Sequence, residues 1–413
     1  MKILSKNHEF TVPWDYSNPE AGELSIFARE IYYQGNEDKP MLVYLQGGPG
    51  IASPRPVSDS GWLKPFLERY RVLLLDQRGT GRSTRIDQFT PELITTWHLS
   101  QLRADNIARD LEHIREFFRL SRLNLFGQSF GGFIITTYLS MYPYNVDRAF
   151  MTGGIPGAFN TPEEIYRATY DKVERRSRIF YRKYEGIEEQ IQRICSHLDW
   201  QEEILPTGER LTSRRFRTLG INLGRGTGME FLAYLFEAPF AGGKTHGDKL
   251  SGEFLEAVGE QVSFARNPLY AAIHEPIYAS NGVPTNWTAE RLRKELPGFR
   301  ETEGDYLYLT GEHIYPWQFE EDPALRPFAT VANELAAKED WPDLYNADAL
   351  AESDAIVSAA VYHDDIFVPY ELSLQTAEYF NDIRLYITNE YQHDGIRHDG
   401  EKIIRTLMDK AEI

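Results

Sequence analysis

Along the first 150 residues, short apolar runs that end in turn residues alternate with stretches of helical periodicity. Residues 8–33 alternate apolar and polar positions around the turn signals at Asp15–Pro19 and Ala21-Gly22, as expected of an antiparallel hairpin. Three runs follow: Met41–Leu45, ending in Gly47-Gly48-Pro49-Gly50; Arg71–Leu75, ending in Asp76-Gln77-Arg78-Gly79; and Leu123–Phe126, ending at Gly127. Runs this short and this apolar suit strands buried on both faces of a parallel sheet. Between the second and third, Ile107, Leu111, Ile114, Phe117 and Phe118 form one stripe on a helix over Leu102 to Phe118. A second helix is expected from Phe133 to Met141, stopped by Pro143, and a further strand over Val146–Met151. Strand and helix in alternation predict a doubly wound α/β sheet.

The pattern changes near residue 155. Thr161-Pro162-Glu163-Glu164 is a capping box with proline at the first helical position, and helical, charged segments run on to about residue 350. Strand signals return at Ala355–Tyr362 and Arg384–Thr388. A segment of this length must fold on itself. The expected organisation is therefore a sheet core in two parts, 1–154 and 351–413, interrupted by a mainly helical cap at 155–350.

Composition narrows the function classes. The 413 residues hold 44 Lys+Arg against 62 Asp+Glu, a formal net charge of −18, with no clustered basic face to displace counterions from nucleic acid. No run is apolar enough to span a bilayer or to serve as a signal peptide, so the cytoplasm is the expected compartment and no membrane partner is expected. Cys195, the single cysteine, excludes an intrachain disulfide and falls among Ile191, Ile194 and Leu198 as a core position. Oligomeric state is not legible.

The chemistry centres on Gly127-Gln128-Ser129-Phe130-Gly131. A serine hydroxyl needs a base to take its proton and donors to stabilise an oxyanion. Small residues two positions either side of Ser129, between a strand and a helix, permit the sharp elbow of the α/β-hydrolase fold. The expected oxyanion donors are the backbone N–H of Phe130 and that of Gly48 in the loop after the first parallel strand. The remaining partners should follow in the order Ser, Asp, His. Asp365 and His393 are the candidates, both after strands at the sheet's carboxyl edge. Asp364 and His398 compete with them. His393, Asp394, His398 and Asp399 lie in one short loop without a second ligand-rich segment, so no metal is expected. Gly243-Lys244-Thr245 lacks the preceding strand of a phosphate loop, and Gly224, Gly226 and Gly228 lack the spacing of a dinucleotide site; both read as loops, and no cofactor is expected.

Gln46-Gly47-Gly48-Pro49-Gly50, Asp76-Gln77-Arg78-Gly79-Thr80-Gly81-Arg82-Ser83 and Gly127–Gly132 together resemble the proline iminopeptidases. Gln46 stands where many members have histidine, and the helical insertion is longer than in the short bacterial members. The resemblance implies a serine aminopeptidase that acts on short peptides with a free N-terminus and releases proline through an acyl-enzyme. It also implies cap acids that hold the substrate's cationic amine. Glu275, in Ala272-Ile273-His274-Glu275, and Glu312, in Thr310-Gly311-Glu312, match in context; the nearby Tyr278, Tyr315 and Trp317 are candidates either to face the pyrrolidine ring or to form cap core. An esterase or amidase on the same scaffold is the enzyme alternative, and a noncatalytic binding protein the alternative from another class.

Overall fold

A computed structural model describes residues 2–242, 249–301 and 307–412. Eight strands form one sheet in the order β1-β2-β4-β3-β5-β6-β7-β8. β1 (Ile3–Pro13) and β2 (Glu23–Tyr33) are the hairpin, and β2 pairs antiparallel with β4 (Arg71–Asp76). From β4 onward every pairing is parallel, through β3 (Met41–Leu45), β5 (Leu123–Gln128), β6 (Val146–Thr152), β7 (Ile356–Tyr362) and β8 (Ile383–Thr388). The strand order reverses direction between β3 and β5, and a crevice opens outside the carboxyl ends at such a switch.

The apolar runs are explained by burial on both faces. Val43, Leu45, Leu73 and Leu75 join the large core with α1 (Ala104–Phe117) and α2 (Phe130–Met141). Their neighbours Leu42, Tyr44, Val72 and Leu74 face the opposite way, onto Phe66 of the short helix Leu63–Leu67 and onto Ile403, Ile404 and Leu407 near the C-terminus. Period-two alternation within each run thus fills two layers at once. Among the described residues no helix is long and apolar enough to cross a membrane.

Between β6 and β7 the chain is helical. α3 (Pro162–Lys183) begins with the expected capping box, in which Thr161 Oγ accepts from Glu164 N and the Glu164 carboxylate accepts from Thr161 N at 2.7 Å. Cys195 is buried in this segment and its thiol is pushed up to about 12 by burial, as befits a packing residue.

Two helix starts differ from the sequence expectation. α1 begins at Ala104 rather than Leu102. α2 begins at Phe130, directly after Ser129, because the elbow turns the strand into a helix with no intervening residue.

Candidate active site

Ser129 lies at the carboxyl end of β5 with φ +54° and ψ −124°, a conformation that side chains adopt only under constraint. The constraint is visible around it. Its N–H donates to Thr152 O at 3.0 Å, and its carbonyl accepts from Gly132 N at 2.7 Å. A Cβ on Gly131 would stand 2.1 Å from Leu45 O, and one on Gly132 would stand 2.2 Å from Gly154 O. The elbow therefore seats directly against the ends of β3 and β6.

His393 and Asp365 come to Ser129 from the ends of β8 and β7. Asp365 Oδ2 accepts from His393 Nδ1 at 2.7 Å, which leaves Nε2 free to accept from Ser129 Oγ at 2.9 Å. Asp365 Oδ1 is held by the N–H groups of Phe367 and Val368 at 2.8 and 3.0 Å. The imidazole lies against the Phe367 ring, centroids 4.5 Å apart and 23° from parallel. All three side chains are buried, each less than a tenth exposed. Burial pulls the His393 imidazole down, but Asp365, with Glu312 and Asp394 adding, outweighs it and holds the group above its ordinary value. The competing residues are turned elsewhere: Asp364 meets His363, and His398 meets Asp394 at 3.0 Å.

The loop after β3 is braced by the end of β4. Gln77 Nε2 donates to Gln46 O at 2.9 Å, and the Gln46 side chain accepts from Tyr44 Oη at 2.9 Å. Asp76, fully buried, accepts from Ser53 N, Arg82 N and the Arg55 guanidinium. Arg78 forks onto Asp110 at 2.6 and 2.8 Å and reaches the carbonyls of Pro13 and Trp14. Gly47 presses on the elbow, where a Cβ would stand 2.9 Å from Ser129 Cβ; Gly48 follows at φ +135°. Gly48 and Ser129 line one cavity of about 260 Å³. Phe130 is the first residue of α2, so its N–H has no acceptor within the helix.

The two candidate cap acids are placed differently. Glu312 lines the cavity with Ser129, and its Oε1 accepts from the Tyr270 hydroxyl. Burial pushes its carboxyl up to about 7, against the pull of His393 and Tyr270. Glu275 is 2 % exposed and off the cavity wall. Its Oε1 accepts from Ala289 N at 3.0 Å, while Oε2 has no hydrogen-bond partner, and burial again pushes the carboxyl up to about 7. Tyr166, buried, and Tyr278, half-buried, feel the charge of both acids.

Three expected ring contacts fall outside the cavity. Tyr315 bonds to Tyr170 and stacks on Trp317 at 5.2 Å, while Trp317 Nε1 donates to Glu290; these two are helical-segment core. Tyr278 packs on Phe133 and Tyr166. Conversely, Gly224, which reads as an ordinary loop glycine, lines the cavity: its carbonyl accepts from His393 N at 3.2 Å, and a Cβ there would stand 2.0 Å from the Phe367 ring. No local pattern marks it, since its partners are more than 140 positions away. Gly243-Lys244-Thr245 lies outside the described residues.

The sheet order, the switch point and the elbow define an alpha/beta hydrolase, and residues 40–190 match the family model of that fold. The chain belongs to the proline iminopeptidase family. It is 39 % identical to a proline iminopeptidase of Aeromonas sobria over 417 aligned residues, 98 % of this chain and 96 % of that one. It is 31 % identical to one of Aspergillus aculeatus, with 98 % and 93 % covered. A solved proline iminopeptidase from Mycobacterium smegmatis is similar at a TM-score of 0.44 and 12 % identity, over 98 % of this chain and 99 % of that one.

Proposed function

We propose that this protein is a serine exopeptidase that hydrolyses the bond after an N-terminal proline. The observation that carries this reading is a buried carboxylate, Glu312, on the wall of the cavity onto which the Ser129–His393–Asp365 chain of hydrogen bonds opens.

In the proposed reaction Ser129 Oγ attacks the prolyl carbonyl as its proton passes to His393 Nε2, with Asp365 stabilising the imidazolium. The oxyanion is taken by the N–H of Phe130 and that of Gly48. Nε2 then returns the proton to the departing peptide amine as the C–N bond breaks. Water, deprotonated by the same nitrogen, attacks the acyl-enzyme, and proline leaves as Ser129 recovers its proton.

Glu312 supplies the exopeptidase character. Its carboxylate pairs with the cationic proline nitrogen one carbon from the scissile carbonyl, where an extended chain has only a neutral amide to offer. Glu275 acts behind it, buried and with its Oε2 unpartnered. The helical segment at 155–350 acts as the cap that carries both acids.

A panel of aminoacyl-arylamides with Pro, Ala and Leu, each free and N-blocked, tests the reading. Preference for free prolyl substrate is expected; turnover of N-blocked substrates at a comparable rate would refute an aminopeptidase. Labelling of Ser129 by a fluorophosphonate separates the enzyme from a binding protein.

A further inference from the structure

The cavity wall carries both signs of charge. Glu312 stands beside the reacting serine, yet Arg225, Arg266 and Arg397 also line the same cavity. They come from separate parts of the chain: the loop after the 3-10 turn Thr218–Gly224, the loop before Pro268, and the start of the C-terminal helix α4 (Gly395–Lys410). Among the described residues no carboxylate forms an ion pair with any of the three, and the charge of Arg225 reaches Glu312 only from a distance, pulling against the burial that raises its carboxyl. Arg225 is held by Asn222 Oδ1 at 2.7 Å, and Arg266 and Arg397 are exposed. Asp394, the other acid on the wall, is already engaged by Gly226 N and His398.

Elsewhere this chain is strongly anionic, with a net charge of −18. Such a surface repels a peptide's terminal carboxylate. Three arginines on the wall of one cavity offset that locally, and a guanidinium matches a carboxylate through paired N–H donors. The cavity, at about 260 Å³, is smaller than the roughly 300–1,000 Å³ of ordinary ligand pockets. A ligand that lies wholly within it is therefore short.

We propose that Arg225, Arg266 and Arg397 form a subsite for the C-terminal carboxylate of the substrate, so that the preferred substrates are zwitterionic peptides of two or three residues. This rests on the reading of the site as a prolyl exopeptidase. Glu312 takes the ammonium end, the scissile bond lies over Ser129, and the carboxylate end reaches the arginines.

The test compares Pro-Ala, its C-terminal amide and a prolyl-arylamide on the full chain. The wild type is expected to favour Pro-Ala over the amide by about tenfold in kcat/KM at low salt, the size of two or three part-exposed ion pairs acting together. That margin should shrink several-fold at about 0.5 M salt. Arg266→Gln/Arg397→Gln should bring the ratio close to one, and Arg266→Lys/Arg397→Lys should restore part of it. Because the ratio compares two substrates on one preparation, loss of folded protein does not imitate the effect. A wild type that treats acid and amide alike, or a glutamine variant that keeps the preference, overturns the subsite. Failure to cleave the prolyl-arylamide would instead overturn the exopeptidase reading, and the subsite with it.

Discussion

The side chain of Gln77 donates to the main-chain carbonyl of Gln46 at 2.9 Å, so the end of one strand fixes the loop that leaves its neighbour. That loop carries Gly47 against Ser129 and Gly48 onto the wall of the same cavity. The Asp-Gln-Arg-Gly segment thus acts at a distance: Asp76 and Arg78 anchor the surrounding turns, and Gln77 sets the height of the glycines. Gln77→Ala is expected to cost about 1–2 kcal/mol in stability, the loss of one buried hydrogen bond. Its larger effect should fall on kcat toward a prolyl-arylamide, roughly tenfold, with KM little changed, because a displaced donor weakens the transition state selectively. Steady-state kinetics beside a urea melt separates the two effects. A pure KM change would contradict a role for this loop in the chemical step.

Ser129→Ala should leave less than about a thousandth of wild-type turnover while the protein melts within a few degrees of wild type. Asp365→Asn keeps the shape but offers Nδ1 a donor-bearing amide, and is expected to lower kcat on the order of 10³–10⁴-fold by favouring the wrong tautomer. Near-normal rates in either variant would remove these residues from the reaction.

Glu312→Gln should raise KM for a prolyl-arylamide roughly 10- to 100-fold, the worth of a charge-assisted hydrogen bond, while an uncharged small ester suffers far less. Equal losses on both substrates would show that Glu312 serves the fold rather than the amine. The acid limb of kcat/KM is expected above the ordinary histidine range, because His393 is held up and must be neutral to act. Protonation of Glu312, whose carboxyl is pushed up to about 7 by burial, is expected to weaken amine binding on the same acid side. Glu312→Gln should therefore leave a limb set by one group instead of two.

Glu275 gives a stability prediction of definite sign. Burial lifts its carboxyl from the ordinary 4.5 to about 7 in the folded protein. Below about pH 4.5 it is neutral in both states and nothing is lost. As pH rises toward 7 the unfolded chain releases this proton first, so folding stability falls, and above 7 the deficit is constant. A gap of this size corresponds to about 3 kcal/mol. Glu275→Gln should thus be more stable than wild type at pH 8 by up to that amount and lose the advantage at pH 4.5, read from urea unfolding at both. A difference independent of pH would mean that Glu275 does not titrate as described.

Much of the sheet was legible because its strands are buried on both faces, which leaves short apolar runs cut by turns. The elbow was legible for a related reason: the turn at Ser129 needs small neighbours, and Gly127 and Gly131 stand two positions either side of it in sequence. The choice of Asp365 over Asp364 was not legible in the run His363-Asp364-Asp365. It depends on a turn in which Asp365 N donates to Tyr362 O and the carboxylate collects the N–H groups of Phe367 and Val368. Tyr315 and Trp317 stayed undecided in the sequence because an aromatic beside a candidate acid reads the same whether it faces a pocket or, as here, stacks in the interior. Gly224 and the three arginines were invisible because distant loops bring them together.

The missing side chains at Gly131 and Gly132 bear on how this protein can be altered. At 2.1 and 2.2 Å from carbonyl oxygens of two neighbouring strand ends, even a methyl group has no place to go unless backbone moves. Libraries meant to redirect the enzyme should leave these positions fixed and vary the cavity's outer wall, where a new side chain displaces solvent instead of the sheet. The most informative substitutions are therefore remote from the elbow in sequence, and the most intolerant are those that would add the fewest atoms.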